Sequence, residues 1–102
     1  MKADSIEEFE NKYGPENNPE AWVQRMLVNS RYEFLGVMLK KDMVDSEILF
    51  QLYKPNTILQ AWDRFKPSIM SLRFRFNDPD YNSGFEYLFN ETRRRYPNII
   101  HN

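Results

Sequence analysis

Apolar residues recur at three- and four-residue spacing through most of the chain, and no strand-like alternation persists beyond Arg73-Phe74-Arg75-Phe76. That period is the signature of helices with one buried face. Local punctuation then divides the pattern. Asp4-x-x-Glu7 and Ser5-x-x-Glu8 both have capping-box spacing, which predicts a short helix over 4–13 that Gly14-Pro15 stops. Asn18-Pro19 supplies an N-cap and a first-turn proline for a helix over 18–41, with Lys40 and Lys41 complementing its C-terminal dipole. Asp45 caps a short helix over 45–53, with Ile48, Leu49, Leu52 and Tyr53 as its expected apolar face. A fourth helix is predicted over 57–76. Pro67 lies inside it, removes a donor and crowds the preceding turn, so a kink or break is expected at 63–66. Asn77-Asp78-Pro79-Asp80 reads as a loop, and Ser83-x-x-Glu86 as a capping box opening a last helix over 83–96, before Pro97.

The predicted fold is all-α, a compact bundle of four to five helices. One domain spans 1–102: an acidic N-terminal helix and loop (1–17), the main bundle (18–96) and a tail (97–102).

Two stretches are apolar on more than one face. Phe34, Leu35, Val37, Met38 and Leu39 nearly encircle the end of the second helix. After Pro67, Ile69, Leu72 and Phe76 form one stripe while Met70 and Phe74 form another. A surface helix needs a single stripe. The second face must therefore sit centrally or meet another chain. Met70 and Phe74, rimmed by Arg73 and Arg75, are the interface candidates; a homodimer is the leading reading and a monomeric bundle its alternative.

Composition sharpens this picture mostly by exclusion. Sixteen of 102 residues are aromatic, there is no cysteine, and the single histidine is His101. Disulfides and thiolate metal sites are excluded, and no Ser-His-Asp arrangement can be drawn. The three glycines, Gly14, Gly36 and Gly84, form no phosphate loop. Asp78-x-Asp80-x-Asn82 opens like a calcium loop, but Ser83 stands where the turn glycine belongs and Phe89 where the bidentate glutamate belongs. Asn90-Glu91-Thr92 matches a glycosylation acceptor but falls mid-helix, in a chain whose first ten residues lack the apolar stretch of a signal peptide. No catalytic residue, metal site or cofactor is assigned, and the expectation is a non-enzymatic protein.

Net charge is −1 but uneven. Residues 1–20 carry six acids against Lys2 and Lys12, whereas 60–96 carry seven bases against five acids. Arg93, Arg94 and Arg95, with Arg73 and Arg75, form a basic patch that could meet phosphates. Their ordinary role at a helix C-terminus is to complement the dipole, and the near-neutral total disfavours nucleic acid. Glu33 and Glu86 each lie among apolar neighbours. Either could pair with Arg73 and fix helix register, and Glu86 could instead close its capping box. The longest strongly apolar run, Phe34 to Leu39, is far too short for a membrane span, and a cytoplasmic protein is expected.

The stretch Asn29 to Lys41 with Met43-Val44-Asp45, the segment Trp62 to Pro67 with Arg73, and Asn77-Asp78-Pro79-x-Tyr81-x-x-x-Phe85-Glu86-Tyr87-Leu88 together resemble a prokaryotic family of helical domains of unknown function. The resemblance covers about 25–96 and implies an all-α fold. Relatives in that family often follow an N-terminal membrane helix, whereas residues 1–24 here are acidic and polar. It implies no activity and no catalytic residues. The leading functional expectation is a protein–protein interaction or self-association domain. The alternatives are nucleic-acid binding through the arginines and a small-molecule-sensing bundle.

Overall fold

The computed structural model describes residues 8, 12 and 18–99. Among them lie four helices: α1 (Pro19–Lys40), α2 (Ser46–Leu52), α3 (Pro55–Arg75) and α4 (Ser83–Arg95). Glu8 and Lys12 are helical; the rest of the expected first helix, with its capping boxes and the Gly14-Pro15 stop, lies outside the described residues.

Two N-termini form as their sequences dictate. The Asn18 side chain accepts from Ala21 N, and Pro19 occupies the first turn, where its missing N–H costs nothing. The Asp45 side chain accepts from Glu47 N and Ile48 N. The other two depart from expectation. α3 starts at Pro55, two residues early, because proline's fixed φ suits the first turn; Lys54 precedes it without a side-chain cap. α4 has no Ser83 capping box. Asn82 occupies the cap position in the left-handed region (φ 58°), and Ser83 is the first helical residue.

α3 runs on through Pro67 rather than stopping there. Proline removes one backbone bond, but Ile58, Leu59 and Trp62 before it and Ile69 and Leu72 after it are all buried. Packing on both sides of the proline outweighs its local cost. α1 and α3 each end in a Schellman turn, with Met43 N donating to Met38 O and Asp78 N to Arg73 O. Asp42 and Asn77 take the left-handed position (φ 56° and 50°), which short polar side chains tolerate.

α4 is the central helix: it packs most extensively on α1 and also on α3, which barely touch each other. One core cluster gathers Leu39, Leu49, Phe50, Ile58 and Leu88. The second gathers Ala61, Trp62, Ile69 and Phe85, with Phe65, Phe89, Met70 and Tyr81 packed on it. Tyr32 contacts both and stacks on Phe85 at 4.8 Å between ring centroids. In α2 the buried pair is Leu49 and Phe50, while Ile48 and Leu52, expected inside, are exposed. A seven-residue helix can seat only one edge, and its period leaves the opposite edge in solvent.

The closest backbone contact is between Gly36 of α1 and Gly84 of α4. A β-carbon on Gly36 would lie 1.7 Å from the Gly84 carbonyl oxygen. Both positions are buried, and only glycine on each side lets the two backbones meet.

Candidate functional site

The residues singled out as a buried polar pair lie where α1, α3 and α4 converge. Arg73, in the last turn of α3, donates through Nε to the Tyr81 carbonyl at 2.7 Å and through Nη2 to Glu86 Oε1 at 2.8 Å. Its side chain is mostly buried, while that of Glu86 is 41% exposed. Glu33 does not join Arg73. Its Oε1 accepts from Phe85 N at 2.9 Å across the α1–α4 interface. Glu33 therefore satisfies an orphan N–H in the first turn of α4 and places a carboxylate at the positive end of that helix. It does the work expected of a Ser83–Glu86 box, which releases Glu86 to Arg73.

The neighbouring Tyr81 hydroxyl contacts Met26 Sδ at 3.3 Å. Burial, and then the charge of Glu33, raise its pKa above the ordinary tyrosine value. Tyr32 is likewise raised by burial. Both phenols stay neutral at physiological pH. The carboxylates of this constellation are occupied by an arginine and a backbone amide, and these bonds tie α1, α3 and α4 together.

The arginine triplet is partly neutralised. Glu91, one turn earlier, pairs with Arg94 and accepts from Arg95 Nε at 2.9 Å. Its hydrogen bond to Arg94 leads the causes that lower its pKa from 4.5 to about 2. Arg95 also lies over the Phe50 ring, 5.6 Å from its centroid. Arg75 and Arg93 are engaged as well. The five arginines do not form one patch of unpartnered charge. Asp78, Asp80 and Asn82 do not form a cation site: Asp78 Oδ1 accepts from Asp80 N in a turn, and Asn82 is buried. No group of three or more His, Asp or Glu among the described residues could hold a metal ion.

The Met70/Phe74 face splits. Met70 packs partly buried on the second core cluster, and Phe74 stays 58% exposed, as does much of Phe76 beside it. A longer apolar surface lies on α1. Val23, Leu27, Phe34 and Val37 are 49%, 66%, 62% and 39% exposed and share its outer face. The buried Asn29, Gly36 and Leu39 face the opposite way. The sequence shows Phe34 and Val37 as candidates for a second face but gives Val23 and Leu27 no role; their four-three spacing was the available signal.

Two further features were not legible. Asn29 is completely buried, and neither its amide nitrogen nor its oxygen makes a hydrogen bond. A cleft of about 740 Å³ lies between the first half of α1 and the Pro67 region of α3, lined by Ala21, Gln24, Arg25, Val28, Arg64, Phe65 and Ser68.

No described helix is long and apolar enough to cross a membrane. The resemblance read from the sequence is borne out. A family model for a domain of unknown function, DUF4760, matches residues 2–92. No curated protein and no solved structure matches.

Proposed function

Because the chain belongs to the DUF4760 family, a domain of unknown function, we propose its role from its surface: a non-enzymatic helical domain that binds other protein, in a cytoplasmic setting. The observation that carries this reading is the outer face of α1, where four large apolar side chains stand exposed along a single stripe. Scattered exposed apolar residues are ordinary, but a contiguous stripe on a long helix is what helix-pairing interfaces bury. The occupied carboxylates around Arg73 support the non-enzymatic part. The test is photo-crosslinking in cells from benzoylphenylalanine at position 34, with exposed position 60 on α3 as control. Protein adducts at 34 and not at 60 are expected. Equal or absent adducts at the two positions would remove the proposal.

A second reading rests on the cleft between α1 and α3, whose volume falls in the range of small-molecule sites and whose wall combines Arg25, Arg64 and Gln24 with Phe65 and Val28. A thermal-shift screen of aromatic carboxylates tests it, since a ligand of the native state raises Tm. Nucleic-acid binding is less supported, because Arg94 and Arg95 are tied to Glu91.

A further inference from the structure

We propose that the outer stripe of α1 is self-complementary, and that two copies of this chain pair along it in antiparallel fashion about a twofold axis near Ser30. This deepens the interaction reading above and rests on it.

The spacing comes first. Val23, Leu27, Ser30, Phe34 and Val37 follow a four-three-four-three step, the seam on which two helices pack. α1 has 22 residues, or about 33 Å of helix. Its inner face is committed to α4 through Gly36 and Leu39, and the seam lies on the opposite, exposed side. An isologous interface requires residue i to meet j while j meets i. The stripe is built that way. Reversed about Ser30, Val23 falls at the level of Val37 and Leu27 within one residue of the level of Phe34. The small exposed Ser30 sits at the crossing, where the backbones come closest.

Charge then selects the direction. Glu20 stands exposed at one end of α1, and Lys40 and Lys41 stand exposed at the other. The two ends are about 30 Å apart. A parallel pair sets glutamate against glutamate and lysine against lysine. An antiparallel pair sets Glu20 of each copy beside Lys40 and Lys41 of the other. The exposed Arg31 flanks the axis, so pairing brings the two copies of Arg31 together. That contact is unfavourable, and it gives the pair a signature.

With side-chain areas on the order of 150–250 Å², the four exposures leave roughly 400 Å² of apolar surface per copy. Adding the flanking Gln24, Arg31 and Lys41, a pair reaches the small end of specific interfaces, the class of weak, reversible pairs with Kd roughly in the micromolar range.

Sedimentation equilibrium of the purified full chain from about 5 to 500 µM spans this range. The expected result is a monomer–dimer equilibrium. Leu27→Asp with Phe34→Asp should abolish it with the helical circular dichroism unchanged, because both side chains are more than half exposed. Glu20→Lys alone should weaken the dimer several-fold. Adding Lys40→Glu and Lys41→Glu to it should restore the dimer, and Arg31→Gln should tighten it. Three results would each overturn the proposal: wild-type monomer throughout the range, a dimer that survives the double aspartate variant, or a charge swap without rescue. If the purified chain is monomeric while position 34 still crosslinks to a different protein, self-pairing fails and the interaction reading stands. If position 34 crosslinks to nothing, both fail.

Discussion

Gly36→Ala separates local preference from tertiary constraint, because the two predict opposite signs. Within a helix, alanine is favoured over glycine by about 1 kcal/mol. Position 36 lies well inside α1, so propensity alone predicts a more stable protein. The structure predicts the reverse. The new β-carbon would sit 1.7 Å from the Gly84 carbonyl oxygen and 2.3 Å from its carbonyl carbon, both backbone atoms that no rotamer change can move. Restoring ordinary van der Waals distance requires α1 and α4 to separate by at least about 1.5 Å, and gaps of even 0.5–1 Å forfeit a quarter to a half of each dispersion contact. The Tyr32–Phe85 stack, the Glu33–Phe85 hydrogen bond and the packing of Leu39 and Leu88 all cross or border this interface. Set against the propensity gain, the net loss is about 3–5 kcal/mol, a large part of a typical total of 5–15 kcal/mol. Urea unfolding followed by tryptophan fluorescence measures it, with Trp62 buried against Phe85 and Phe89 as reporter. Tm should fall by roughly 15–30 °C. Gly84→Ala is the internal comparison. Its β-carbon meets the Glu33 carbonyl oxygen at 2.7 Å and the more mobile Glu33 carboxylate at 2.9 Å, so a smaller loss, about 1–2 kcal/mol, is expected. A Gly36→Ala protein as stable as wild type, or a reversed order of the two variants, would refute the claim that this contact sets the α1–α4 spacing.

The other predictions concern polar groups. Arg73→Lys should cost about 1–2 kcal/mol, because one ammonium cannot reach both the Tyr81 carbonyl and Glu86 as the guanidinium fork does. Glu86→Gln should cost less than about 1 kcal/mol, since that carboxylate is partly solvated; the opposite ranking in urea would count against the assigned geometry. Asn29→Leu should leave the protein as stable or raise stability by about 1 kcal/mol, because it removes two buried unpaired polar atoms at similar volume. A loss of more than about 1 kcal/mol there would show that the amide has a partner in solution. Glu91 controls part of the acid limb. Its folded pKa is lowered from 4.5 to about 2, so its contribution is complete above about 4.5 and is lost as pH falls toward 2. Glu91→Gln should flatten the fall in Tm over that window, and an unchanged slope would remove the assignment.

Sequence alone determined the features that depend on neighbours within a turn or two. The helical period, the Asn18 and Asp45 caps and the loop at Asn77 to Asp80 follow from residues no more than four apart. A large apolar side chain on a helix stripe has few places to go, and Trp62, Phe65, Phe85 and Phe89 meet in one core cluster. Local signals failed where a distant residue competed. Ser83 and Glu86 have the spacing of a capping box, yet Glu33, more than fifty positions earlier, takes the backbone amide at Phe85, and Arg73 takes Glu86. Pro67 signals a kink or a break, and of the two the break does not occur, because buried residues on both sides carry α3 through it. Gly36 and Gly84 read as mild helix defects until the fold sets them against each other. α1 is apolar on two sides, and nothing local says which side faces inward. Docking of α4 through the glycine contact decides it, burying Gly36 and Leu39 and leaving Val23, Leu27, Phe34 and Val37 outside. A sequence pattern fixes which residues share a face; only the partner helix, arriving from far along the chain, fixes which face is covered.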